Sequence, residues 1–337
     1  VGKTDVEADE LAYGDIGYTV KLVNTNTNDT LASQGWTYTY PKIEFPKPYL
    51  CMAISPKSKG DEDKIATGIA KLLEEDLTIR YENNAETKQM CIYGLGEMHI
   101  DVITSKLKNR FGTTVTISPA KVPYRETIKK KVQVEGKHKK QSGGHGQYGH
   151  VKIEFSPGTT DGLEFTETIF GGSVPKNFHP AVEKGLQESM AKGVLAGYPV
   201  IGIKANLFDG SYHDVDSSEM SFKLAANLAF KEGMKQGGAV LLEPVGELRV
   251  SIPTSYSGDI MGDISKRRGR IMGMSESGGK GFTVIEAEVP SAEMGTYAIQ
   301  LRAMTQGRGS YSFNFVRYEE APAEVAAKVI EAAKKEA

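Results

Sequence analysis

QMCIYGLGEMHIDVITSKLKNRFGTTVTI, residues 89–117, decides the fold class of this 337-residue chain. Gln89–Tyr93 is a short apolar run of strand character, and Glu97–Phe111 places Ile103, Leu107 and Phe111 at four-residue steps, the spacing of one helix face. Thr114–Ile117 then returns to strand composition. Upstream, Leu50–Ile54 reads as a strand, Asp61–Glu75 as a helix carrying Ile65, Ile69 and Leu72, and Thr78–Tyr81 as another strand. The order β-α-β-β-α-β is a ferredoxin-like split βαβ unit. Its first and third strands are neighbours, which places Cys51 and Cys91 near one another, although adjacency alone makes no disulfide. His99 falls on the Ile103–Leu107 face and reads as a satisfied, partly buried histidine.

The same order recurs near the end. Gly246–Ile252 is a strand, Gly258–Arg268 a helix, Arg270–Ser275 and Gly281–Val289 a strand pair, Glu293–Thr305 a helix and Ser310–Arg317 a last strand. Ala323–Ala337, rich in Ala, Glu and Lys with Val325 and Val329 on one side, reads as a terminal helix. Between the two units lie strands at Thr127–Val134, His150–Phe155, Leu163–Thr168 and Val200–Phe208, with helices at Pro180–Lys192 and Asp216–Gln236. Asp216 is placed to cap the last of these, with Glu219 completing a reciprocal box. Residues 11–40 hold two short alternating runs, Gly17–Val23 and Trp36–Tyr40, before Pro41, Pro46 and Pro48 mark a boundary.

Length predicts two or three domains. The formal net charge of −2 does not by itself announce a polyanion partner, so local clusters must carry that case. No run approaches the roughly 20 apolar residues of a membrane span. Two cysteines are too few for a disulfide scaffold or a structural zinc site. The opening VGKTDVEADE has neither an initiator methionine nor a signal segment, which reads as a fragment or processed product. Gly2-Lys3-Thr4 mimics the end of a phosphate-binding loop, but lacks the preceding strand and first glycine that the motif requires.

Three loops carry chemistry. Between Arg125 and Lys152 eight lysines and arginines face only Glu126 and Glu135, and Lys137, Lys139 and Lys140 run into SGGHGQYGH, residues 142–150. Charge attracts phosphate, glycines let the backbone approach an RNA surface, and Tyr148 offers a stacking ring. A polar hairpin turn has the same composition. DGSYHDVD, residues 209–216, joins a strand to a helix; His213 beside Asp214 admits a general-base reading, and His145, His150 and His213 admit a metal, though their spacing matches no zinc signature. Ser265-Lys266-Arg267-Arg268-Gly269-Arg270 concentrates four cations where a helix meets a turn, fitting either phosphate docking or a solvated helix end.

Five segments in order resemble the C-terminal half of bacterial translation elongation factor G: LGEMHIDVITSKLKNRF, KHKKQSGGHGQYGHVKIEFSP, DGSYHDVDSSEMSFKLA, GDIMGDISKRRGRIMGM and QLRAMTQGRGSYSFNFVRYEEAP. The resemblance implies an α+β multidomain chain in which two ferredoxin-like domains flank a domain like that of ribosomal protein S5. Residues 1–40 would be a remnant of the β-barrel domain II, 41–118 domain III, 119–240 domain IV, 241–320 domain V, and 321–337 a helix packing back on domain IV. It also implies that Gly143, Gly144, His145, Gly146, Gln147 and Tyr148 form one loop of a domain IV tip, and Ser211, Tyr212, His213 and Asp214 the second. That tip would reach the small-subunit decoding region beside tRNA and mRNA. Lys266, Arg267, Arg268 and Arg270 would meet large-subunit RNA near the GTPase-associated centre. GTP and Mg would belong to the G domain of a cytoplasmic, monomeric parent, leaving this arm without a cofactor, metal or catalytic residue of its own. The family commonly has SGGRGQYGH in the first loop, so His145 here stands for arginine, as in an elongation factor G-like paralogue acting in ribosome recycling or protection.

Overall fold

The computed structural model describes residues 6–84, 86–141, 146–276 and 281–336. Gly2–Thr4 and, in the first loop, Gly143–His145 lie outside the described residues. Strands β1 (Leu50–Pro56), β2 (Arg80–Asn84), β3 (Gln89–Gly94) and β4 (Val115–Pro119) form a sheet of order β2-β3-β1-β4, with helices α1 (Glu62–Glu75) and α2 (Glu97–Phe111) between them. This is the split βαβ order expected from the sequence. Helix α1 buries Ile65, Ile69 and Leu72, and α2 buries Ile100, Ile103 and Leu107. Gly68 lets the helices close on one another, since a Cβ there would stand 2.8 Å from Leu107 Cδ2. His99 is satisfied at both ring nitrogens. Nδ1 accepts the Leu95 N–H at 3.1 Å and Nε2 stands 3.0 Å from Asp76 Oδ2, tying the start of α2 to the end of α1.

The runs Gly17–Val23 and Trp36–Tyr40 are not strands in the structure; no strand occurs before Leu50 among the described residues. A strand exists only as part of a ladder, and here Ile16, Tyr18, Val23 and Trp36 are exposed with no sheet to join.

From Ile117 onward the chain belongs to a second compact unit, which also takes in Tyr49–Ile54 and Glu82–Cys91. Strands β6 (Val132–Lys140), β7 (Gln147–Pro157), β8 (Leu163–Glu167) and β9 (Ile203–Ser211) make a sheet of order β6-β7-β9-β8, antiparallel except for the parallel pair β8–β9. Helix α3 (His179–Met190) lies between β8 and β9 in the chain, and α4 (Glu219–Gln236) follows β9. Strand alternation sends Val151, Ile153 and Phe155 into a core with Leu186, Phe222 and Phe230. It turns Tyr148, His150, Lys152 and Glu154 to the opposite face. Gly136 is required where α4 crosses β6, because a Cβ there would lie 2.1 Å from the Ala225 carbonyl oxygen.

The stretch 127–134, read as one strand, is split. Arg125–Ile128 (β5) pairs with the first residues of β10 (Ala239–Pro253), and β6 begins only at Val132. The break has a cause: the N–H groups of Lys129 and Lys130 both donate to the Gly237 carbonyl, at 3.0 and 2.9 Å, so neither can serve a ladder. Beyond its pairing with β5, β10 becomes the third strand of an antiparallel sheet of order β11-β12-β10-β13, built with β11 (Arg270–Glu276), β12 (Phe282–Pro290) and β13 (Ser310–Glu320). Helices α5 (Ser257–Lys266) and α6 (Tyr297–Thr305) bury Ile260, Ile264, Tyr297 and Leu301 against Leu248, Val250, Ile285 and Val289. The terminal helix α7 (Ala323–Glu336) sets Val325, Ala326 and Val329 against Tyr124, Leu241 and Ala321.

Candidate nucleic-acid interface

The start of β7 and the β9–α4 loop are stitched together at one end of the β6–β9 sheet. The Gly146 N–H donates to Asp216 Oδ1 at 2.9 Å and the Tyr148 N–H to the Asp216 carbonyl at 2.8 Å. Ser217 Oγ donates to the Tyr148 carbonyl at 2.9 Å, and Tyr148 Oη lies 2.7 Å from Ser211 Oγ. The described part of the first loop, Gly146–Tyr148, therefore shares a tip with Ser211–Asp214. Asp216 serves this junction instead of capping α4. Ser218 is the cap, accepting the Ser221 N–H at 3.2 Å. The sequence places three candidate oxygens within three residues, and only the fold assigns them.

His213 stands at the tip with its side chain 56% exposed. Its Nδ1 accepts from the N–H groups of Val215 and Asp216 at 3.3 and 3.2 Å, and Asp216 Oδ2 is 3.5 Å away. With Nδ1 accepting, the ring proton is assigned to Nε2. The general-base reading with Asp214 is not assembled: the acceptor nitrogen is committed to backbone, and the neighbouring carboxylate is that of Asp216. Tyr212 and Asp214 are exposed.

Positive charge reaches this end along β6, an edge strand. Lys137, Lys139 and Lys140 are exposed, and Lys137 Nζ sits 5.8 Å from the Tyr148 ring centre, within cation–π range. His138 Nε2 lies 2.9 Å from Gln147 Oε1, which fixes the amide at the strand end. No group of three His, Cys, Asp or Glu side chains fit to hold a metal occurs among the described residues.

The second expected cluster is arranged differently from the patch read in the sequence. Arg267 is only 7% exposed; Nε donates to Asp263 Oδ2 at 2.8 Å, and its other nitrogens bond Gln300 and the Glu293 carbonyl. Arg268 grips Glu243 through both terminal nitrogens, at 2.6 and 2.8 Å, while Nε reaches Glu293 at 3.0 Å. These two arginines hold domain structure together and are not presented as a free patch. Lys266 and Arg270 are the exposed members, and Arg270 pairs with Glu288, which Arg317 also grips with two bonds of 2.7 Å.

The hydrogen bonds from Arg317 and then Arg270 lower the Glu288 carboxyl to about 2. A depressed carboxyl stabilises the fold above its unfolded value and loses that contribution as pH falls through the folded value. Stability is therefore expected to decline between about pH 4.5 and pH 2, and Glu288→Gln should flatten that part of a thermal-unfolding profile taken against pH. The side chain is partly open to solvent, so the slope should weaken in high salt.

Comparison with known proteins agrees with the order of these units. Three family models match in sequence order: Elongation Factor G, domain III, over residues 45–119; Elongation factor G, domain IV, over 120–238; and Elongation factor G C-terminus over 240–329. A crystal structure from Thermus thermophilus is similar at 41% identity with a TM-score of 0.77, covering 88% of this chain and 44% of that one. The present chain thus spans less than half the length of that protein. Matches to three consecutive domains of one factor, on a fold with the split βαβ order at both ends, place the chain in the elongation factor G family, as the portion carrying domains III and IV and the C-terminal domain.

Proposed function

We propose that this chain is the ribosome-binding arm of a translational GTPase, whose G domain binds GTP with Mg and drives movement of tRNA and mRNA. The observation that carries the reading is the joined tip: two loops held by Asp216, Ser217 and Tyr148, flanked by the exposed lysines of β6. Such a tip presents donors, a stacking ring and positive charge to a phosphate-rich cleft, the chemistry of small-subunit decoding RNA. Lys266 and Arg270 offer a second contact, to large-subunit RNA near the GTPase-associated centre. A soluble, cytoplasmic monomer is the form this work requires.

The parent protein carrying His213→Ala should fold normally and translocate about 5- to 30-fold more slowly in a tripeptide-synthesis assay, the scale of one or two hydrogen bonds at the tip. Full translocation in that variant would demote His213 to a surface residue. A second reading, ribosome recycling or protection by a paralogue, is favoured by His145 where the family commonly has arginine. Parallel measurement of post-termination ribosome splitting decides it: splitting without translocation selects the paralogue.

A further inference from the structure

His150 lies behind the tip rather than on it, only 9% exposed although it sits on the sheet face away from the helices. Its Nδ1 is 2.7 Å from Ser211 Oγ, and the same oxygen is 2.7 Å from Tyr148 Oη. Glu135 Oε1 stands 2.9 Å from Nε2, in ion-pair range but without hydrogen-bond direction. One serine hydroxyl therefore joins a tip tyrosine to a covered histidine. We propose that Ser211 and His150 are positioning residues for Tyr148: they fix its ring at the tip and set whether its hydroxyl offers a hydrogen or a lone pair outward. This rests on the arm reading above only in what the tyrosine then touches.

A serine hydroxyl has one hydrogen to donate and lone pairs to accept. With His150 neutral and its proton on Nε2, Ser211 donates to Nδ1, so it can only accept from Tyr148; the tyrosine O–H is turned inward. With His150 protonated, Nδ1 becomes a donor to Ser211, whose own hydrogen, no longer held by the ring, is free to turn to Tyr148 Oη. The tyrosine then accepts from Ser211, and its O–H is released toward solvent. One proton gained at a covered ring reverses two hydrogen bonds and changes the face shown at the tip.

The surrounding charges oppose one another. Burial lowers the His150 value below the ordinary 6.5; Glu135 on β6 and Asp209 on β9 raise it, while Lys137 on β6 and Lys152 on β7 lower it. Lys152 and Asp209 are themselves paired at 2.8 Å. The inward arrangement is thus the one held at neutral pH, and the reversal belongs to acid conditions below 6.5.

The test uses the 337-residue chain with carbon-13 in its tyrosine rings. The Tyr148 ring resonance should move with a midpoint below pH 6.5 in the unsubstituted chain and in Ser211→Thr. It should stay flat in Ser211→Ala and in His150→Asn, which keeps an acceptor near the Nδ1 position but does not titrate. A flat resonance in the unsubstituted chain, or the same titration in Ser211→Ala, overturns the proposal whatever the chain binds. Ribosome binding of the same proteins at neutral pH supplies the second arm. Ser211→Ala should weaken it about 5-fold, the effect of one ordering hydrogen bond, while Ser211→Thr stays within about twofold of the original. Equal binding by Ser211→Ala and the unsubstituted chain overturns the positioning role. If the unsubstituted chain does not bind ribosomes, the arm reading fails and the resonance alone decides the inference.

Discussion

Glu126→Ala is expected to destabilise the second unit by about 3–5 kcal/mol, the cost of removing one partner from a buried charged interaction. Glu126 is fully buried, and its carboxylate accepts four successive backbone N–H groups: Leu195 at 2.9 Å, Ala196 at 2.9 Å, Gly197 at 3.1 Å and Tyr198 at 3.3 Å. Its own backbone completes the clasp, donating to the Pro199 carbonyl at 3.0 Å and accepting the Ile201 N–H at 2.9 Å. The segment so held leads into β9, whose far end is Ser211 at the tip. Alanine would leave those part-buried amides without their acceptor. Glutamine keeps the shape but has one acceptor oxygen, and its NH2 would face a donor, so an intermediate loss of about 1–2 kcal/mol follows. Denaturant unfolding followed by circular dichroism measures both, and amide exchange should accelerate first at residues 195–198. A loss under about 1 kcal/mol for alanine would show that water replaces the carboxylate at little cost.

Arg268→Ala is the second large effect, again about 3–5 kcal/mol. Glu243, 3% exposed, depends on the two-pronged grip of Arg268. The hydrogen bond to Glu243, then that to Glu293, raises the arginine's already high value, so Arg268 stays charged at every pH the fold survives. Lysine cannot make the fork and should recover only part of the loss. The double variant Arg268→Met with Glu243→Met should be more stable than Arg268→Ala, because it leaves no buried charge alone. Equal stability of Arg268→Ala and the original would mean that Glu243 finds another donor. Ribosome affinity then separates the roles of the cluster. Lys266→Ala and Arg270→Ala should weaken binding and lower its salt dependence with little change in stability, whereas loss of binding in Arg268→Ala should track unfolding.

Arg267 and Arg268 also show where sequence reading stops. Four cations in five residues look alike along the chain, and which of them face carboxylates depends on Asp263 one turn back, on Glu243 at the far end of β10 and on Glu293 before α6. Residues distant in sequence decide the matter. The same holds for Asp216, a good cap by spacing but claimed by Gly146 and Tyr148 from β7, and for Glu126, whose four amide partners lie 69 to 72 residues away. Helix α2, by contrast, was legible to the residue, since its pattern and the left-handed Gly112 that ends it are both local. The split of 127–134 was not, because it depends on Gly237 offering one carbonyl to two lysine amides. Repeating apolar steps fix element type and order; pairing across the fold fixes which polar side chains are left for a partner.

The most direct measurement for the arm is a photocrosslink from position 213. A crosslinking amino acid is placed there in the parent protein, which is stalled on translating ribosomes with a GTP analogue that resists hydrolysis. Crosslinks to decoding-region RNA of the small subunit, to the mRNA or to the adjacent tRNA are expected, and they should fall when Lys137, Lys139 and Lys140 are replaced together. Crosslinks confined to the large subunit, or none above those of a crosslinker at the exposed Lys335 of the terminal helix, would contradict a tip that works in the decoding cleft.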